Sequence, residues 1–273
     1  MSEEQTSELQ QGTRSALRVK PTALIGFGIA IGYVPLFTIL EKLMGVPYTE
    51  LGKTSDSILR GIVIPLAIAA VVMAGLTTFL GWWRPVMREK PLGVKWMWAI
   101  PVIVGVLALA GVDYSQLGAL SGTYIMWLAI GTLLVGFNEE IAYRGLALVA
   151  FRGAYKEVWV WLLTSLFFGL LHGANIILGQ GVSDTIQQIA FAFVLGSMFY
   201  AVRRITGSLV VPMAFHALWD FGSFSAVGGL AATGTTAINL LVAIGRVPLL
   251  IALVVLFVVG ARRMFTTPVA AAN

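Results

Sequence analysis

The chain has 273 residues, 58% of them hydrophobic and only 11% charged, with no cysteine and a formal charge of +5. That balance excludes a soluble globular domain, whose core could not absorb so much apolar surface, and the missing cysteine excludes disulfides, thiolate nucleophiles and cysteine-held metal. The positive charge lies in short loops between apolar stretches rather than along one face, which argues against a nucleic-acid partner.

In chain order, residues 1–20 read as a polar, mobile cytoplasmic tail, with Glu3, Glu4 and Glu8 ahead of Arg14, Arg18 and Lys20. Apolar stretches long enough for a hydrocarbon layer of about 30 Å follow near 21–41, 61–82, 96–112, 122–151, 157–178, 185–202, 207–225 and 239–261. The expected fold is all-α, a polytopic bundle of about eight transmembrane helices over 21–263, with a short C-terminal tail at 264–273. Basic residues cluster in every second connection: Arg84, Arg88, Lys90 and Lys95; Arg152 and Lys156; Arg203 and Arg204; Arg262 and Arg263. By the positive-inside rule both termini face the cytoplasm, and the connections near Asp113, Asp184 and 228–236 face the other side. Trp82 and Trp83, like Trp96 and Trp98, read as interfacial anchors. Gly52, Lys53 and Thr54 imitate the end of a phosphate loop, but Pro47 stands where its first glycine is required, so no nucleotide site is expected.

Ionisable residues inside a span cost about 2.5–3.5 kcal/mol each on translocon scales, so a group of them calls for a function. The fourth span carries Glu139, Glu140 and Arg144; the fifth, Phe168 and His172; the seventh, His216 and Asp220. Residues four apart share a helix face, so Glu140 pairs with Arg144, Phe168 stacks over His172, and His216 lies beside Asp220. At about 1.5 Å per residue, Glu139 lies roughly 20 Å and His172 roughly 24 Å from the turn near 152–156, and His216 with Asp220 roughly 15–24 Å from the turn near 204–206. The three polar stripes therefore meet at one depth. Gly169 and Gly173 suit close helix packing, Asn175 suits a helix break, and Arg246 beside Pro248 suits an interfacial start to the last span.

The chemistry that suits this set is amide hydrolysis. Desolvation strengthens a carboxylate as a proton acceptor, which makes Glu139 the candidate base. His172 can orient the attacking water, His216 with Asp220 can polarise the carbonyl, and Glu140 with Arg144 supports the neighbouring face.

The ordered motifs Glu-Glu-x-x-x-Arg, Phe-x-x-x-His and His-x-x-x-Asp resemble the CPBP intramembrane protease family, over roughly residues 120–225. That family comprises type II CAAX prenyl endopeptidases and bacterial proteins tied to bacteriocin processing and self-immunity. The resemblance implies that Glu139 and His172 activate water, that Glu140 and Arg144 support the site, and that His216 and Asp220 stabilise the oxyanion. Members that process CAAX substrates commonly carry asparagine at the position of Asp220. An ionised aspartate cannot donate to an oxyanion, so Asp220 can alternatively accept from His216 or ligate a metal. The cofactor is either none or Zn2+: Glu139, His172 and His216 would be the zinc ligands, while the absence of a His-Glu-x-x-His helix favours metal-independent chemistry.

The function expected is an intramembrane endopeptidase, set in a lipid bilayer of a bacterial or archaeal cell membrane, acting on a peptide or membrane-anchored protein near the cytoplasmic side. Two alternatives stand beside it: a non-hydrolytic immunity or scaffold protein of the same fold, and a proton-coupled transporter, which the lack of an inverted repeat disfavours.

Overall fold

A computed structural model describes residues 17–230 and 237–269. Arg14, the 231–236 part of the connection between the last two spans and the side chain of Arg246 lie outside the described residues.

Each expected span coincides with a helix: α1 (Ala23–Met44), α2 (Ser55–Leu80), α3 (Lys95–Gly111), α4 (Gly122–Arg152), α5 (Glu157–Ile176), α6 (Val182–Thr206), α7 (Val210–Leu230) and α8 (Ala237–Thr266). Among the described residues six stretches are long and apolar enough to cross a membrane, namely α1, α2, α4, α5, α6 and the Val247–Thr266 part of α8. Helix α3 is apolar but shorter. The bundle is inverted relative to a soluble protein: Leu24, Leu43, Val71, Phe79 and Val258 are exposed on the outside, whereas Glu139, Glu140, Arg144, Arg203 and Arg204 are buried. In hydrocarbon each backbone group must be satisfied within the chain, which helices achieve by themselves.

Local chemistry sets the helix ends and their irregularities. The side chain of Thr22 caps α1 by accepting from the Ile25 amide at 3.4 Å, and Ser121 caps α4 by accepting from the Tyr124 amide at 3.1 Å. Helix α2 widens into a π turn at Leu59–Val63, directly before Pro65, whose ring and missing N–H disturb a regular helix. Helix α4 widens likewise at Ile141–Ala147, and α5 tightens into a 3-10 turn at His172–Ile176. Both of these distortions begin at the polar motifs, a frequent location for such turns.

Helix α4 packs closely on α7 through Gly136: a Cβ there would lie 2.5 Å from the Met213 carbonyl oxygen. Helix α5 approaches α6 at Gly169, where a Cβ would lie 2.9 Å from the Ile189 carbonyl oxygen, while at Gly173 the contact would be an ordinary 3.7 Å. The expected close packing at this pair of glycines is thus concentrated at Gly169.

Two readings of surface residues change. Trp82 is fully buried and its indole N–H donates to the Val19 carbonyl at 2.7 Å, so it is a core residue; Trp83, Trp96 and Trp98 are exposed. The basic residues near the loops are also partly structural. Glu89 is 4% exposed and receives Arg152 at 2.7 Å, Arg203 at 2.9 Å and Arg204 at 2.9 Å. Arg152 also reaches Glu157, and Arg204 donates to the carbonyls of Met264 and Thr267. This knot joins the α2–α3 connection to the ends of α4, α6 and α8 and the start of α5. Burial works to raise the carboxyl of Glu89, but the surrounding charges of Arg152, Arg203 and Arg204 outweigh it and hold the group at about 2.

Candidate active site

The motif residues on α4, α5 and α7 converge. Glu140 is completely buried, and its Oε1 receives Arg144 Nη1 at 2.9 Å and lies 3.1 Å from His216 Nδ1. His216 Nε2 points the other way, 3.5 Å from Asp220 Oδ2 and 3.8 Å from Glu139 Oε2. His172 Nδ1 lies 3.1 Å from the Phe168 carbonyl oxygen. A carbonyl only accepts, so Nδ1 carries the proton there and Nε2 is the free acceptor. The same reasoning puts a proton on His216 Nδ1, because the Glu140 oxygen it faces is already ion-paired with Arg144.

Aromatic rings hold these groups apart from the lipid. Phe168 meets His172 edge-on, with centroids 5.4 Å apart, rather than face to face, and meets His216 edge-on at 5.6 Å. The Arg144 guanidinium lies 3.8 Å over the Phe168 ring, and Phe199 stacks on His216 at 4.9 Å. The guanidinium has room because residue 196 is glycine: a Cβ there would lie 2.5 Å from Arg144 Nη2 and 2.9 Å from Phe168. Arg203 from the buried charged knot donates to the Arg144 carbonyl, which ties the knot to the site.

Glu139, His172, His216 and Asp220 line a cavity of about 540 Å³ whose other walls include Tyr48, Gln180, Asp184 and Trp219. An adjoining chamber of about 100 Å³ shares Glu139, His172 and Asp220 and adds Glu41 and Asn175. Tyr48, Thr49 and Leu51 after α1 and Gln180 and Gly181 between α5 and α6 contribute to the lining of the larger cavity. Asn175 does more than cap the helix break. Its backbone carbonyl closes the turn by accepting from the Leu178 and Gln180 amides, and its side chain donates to Gln188, which donates to the Tyr48 hydroxyl at 2.9 Å.

The zinc alternative requires three donors about 2.0–2.2 Å from one point. Among the described residues no three His, Asp or Glu side chains form such a group. No step below runs through a metal.

Sequence reasoning missed Glu41, Tyr48, Gln188, Gly196 and Phe199. Glu41 lies one turn from the end of an apolar span, where a lone acidic residue reads as an interfacial charge, and Gly196 and Phe199 carry no signal outside the packed fold.

Comparison with known protein families finds a likeness that spans this site. A family model described as Rce1-like, type II CAAX prenyl endopeptidase Rce1-like, matches residues 121–222, a little over a third of the chain. No curated protein and no solved structure matches. The matched stretch begins at the cap of α4, ends on α7 two residues past Asp220 and contains all three motifs, so over this segment the chain is similar to the Rce1-like endopeptidases.

Proposed function

We propose that the chain is an intramembrane endopeptidase that hydrolyses a peptide bond in a peptide or membrane-associated protein. The observation that carries this reading is the convergence of Glu139, His172, His216 and Asp220, from three helices, on one cavity of about 540 Å³ inside an apolar bundle. Glu139 Oε2 is buried without a hydrogen-bond partner, which is the position an attacking water would satisfy.

In this reading Glu139 accepts a proton from water while His172, with Nε2 free, accepts the second hydrogen and orients the oxygen. Attack forms the new C–O bond and drives the carbonyl electrons onto its oxygen. His216 then donates from Nε2 to that oxyanion. With Nδ1 already donating to Glu140, this needs the doubly protonated ring, and the negative charges of Asp220 and Glu140, which stay ionised after Glu139 has taken the water's proton, keep it so. At 3.5 and 3.8 Å neither Asp220 nor Glu139 has formed a tight hydrogen bond with Nε2, so a substrate oxygen can take its place. Collapse breaks the C–N bond, and Glu139 returns its proton to the leaving amine. Glu140 and Arg144 hold His216 from behind.

Comparative proteomics of membrane peptides from cells carrying the intact gene or a Glu139→Ala copy tests the reading. Peptides present only with the intact gene are expected, and so is cleavage of those sequences by the purified protein but not by Glu139→Ala or His172→Ala. Persistent cleavage by both variants would overturn the mechanism. A wild type that cleaves nothing while retaining a cellular phenotype would support the immunity or scaffold alternative.

A further inference from the structure

The two chambers share a feature the proposed chemistry does not need. Their walls carry Glu41, Glu139, Asp184 and Asp220, yet none of the described residues lining them is lysine or arginine. Arg144 is near, but its guanidinium is held between Glu140 and the Phe168 ring. Glu41 is the carboxylate without a task. It is 5% exposed, lines the smaller chamber, has one oxygen buried without a hydrogen-bond partner, and takes part in none of the ion pairs among the described residues. A carboxylate buried this completely is expensive unless something answers it.

Building on the peptidase reading, we propose that the chamber capped by Glu41 is a subsite for an alkylammonium group of the substrate, a lysine side chain or a free amine close to the scissile bond. The chamber of about 100 Å³ suits a chain end rather than a bulky ring. The ammonium's donors find Glu41 together with the Asn175–Gln188–Tyr48 chain along the same wall. An arriving cation also answers the orphaned oxygen of Glu41, so binding removes an existing penalty rather than creating one.

The test reads binding, which is independent of turnover. Wild type, Glu41→Gln and Glu41→Lys are placed in lipid nanodiscs and titrated with end-blocked hexapeptide libraries on a Leu/Ala/Phe background. Each position in turn carries lysine, norleucine or glutamate, and one further set leaves the N-terminal amine free. At one position lysine should bind about 10- to 100-fold tighter than norleucine, the factor a charge-assisted hydrogen bond supplies. A preference carried instead by the free amine identifies that source. The preference should vanish in Glu41→Gln and turn toward glutamate in Glu41→Lys. Wild type without any preference for a cation, or a preference unchanged in Glu41→Gln, overturns the subsite. Cleavage of the same libraries reports separately on the peptidase reading, since selective binding without cleavage spares the subsite, and cleavage without selectivity spares the peptidase.

Discussion

His216 on α7 and Glu140 on α4 lie 76 positions apart in the chain and 3.1 Å apart in space, both buried. Between them they divide the site. Glu140 faces Arg144 and the back of the histidine, leaving Glu139, its neighbour in sequence, to face the cavity.

That division predicts opposite outcomes for adjacent carboxylates. Glu140→Ala leaves Arg144 buried and unpaired, which should destabilise the fold by about 3–5 kcal/mol. Glu139→Gln removes a group with no formed ion pair closer than 3.8 Å, so it should unfold near the wild-type midpoint while losing turnover. Unfolding of the purified proteins in one detergent compares them, and equal losses of stability would contradict the division of roles.

Gly196 should tolerate no side chain. Gly196→Ala sets a methyl group against both Arg144 and Phe168 and should cost about 1–3 kcal/mol by overpacking. Because the displaced guanidinium is what holds Glu140, turnover should fall as well, even at temperatures where the protein remains folded. A fully active Gly196→Ala protein would show that Arg144 can move without consequence.

The knot around Glu89 predicts an acid limit. Its carboxyl titrates near 4.5 when free and near 2 in the fold. Its contribution, about 3 kcal/mol, is complete above pH 4.5, declines as pH falls, and is gone below pH 2. Glu89→Gln should therefore be less stable at neutral pH and lose less on acidification between pH 5 and 3. Parallel pH profiles for the two proteins would remove Glu89 as the source.

Metal removal is the fourth measurement. The donors do not converge among the described residues, so chelation of the purified protein should leave hydrolysis within about twofold, and elemental analysis should find zinc well below one per chain. Loss of activity on chelation with recovery on adding zinc would mean that His172 and His216 rearrange to bind it.

Much of the body plan was legible because it is local. Runs of apolar residues mark helices whatever surrounds them, and spacing by four brings Glu140 to Arg144 and His216 to Asp220 within one helix. The agreement in depth among α4, α5 and α7 likewise followed from the rise per residue and short connections. Trp82 and the loop arginines were misjudged for the converse reason: an interfacial composition looks the same whether a side chain faces headgroups or turns inward to a carbonyl or to Glu89.

By itself, the sequence determined a helical membrane bundle with three polar motifs at a common level. Only the tertiary structure decided that His216 joins Glu140 to the cavity, that Glu41 lines the adjoining chamber, and that a glycine at 196 makes room for Arg144. Those relations depend on how helices rotate and how closely they approach, which contacts such as Gly136 against Met213 set and which no spacing along a single helix encodes.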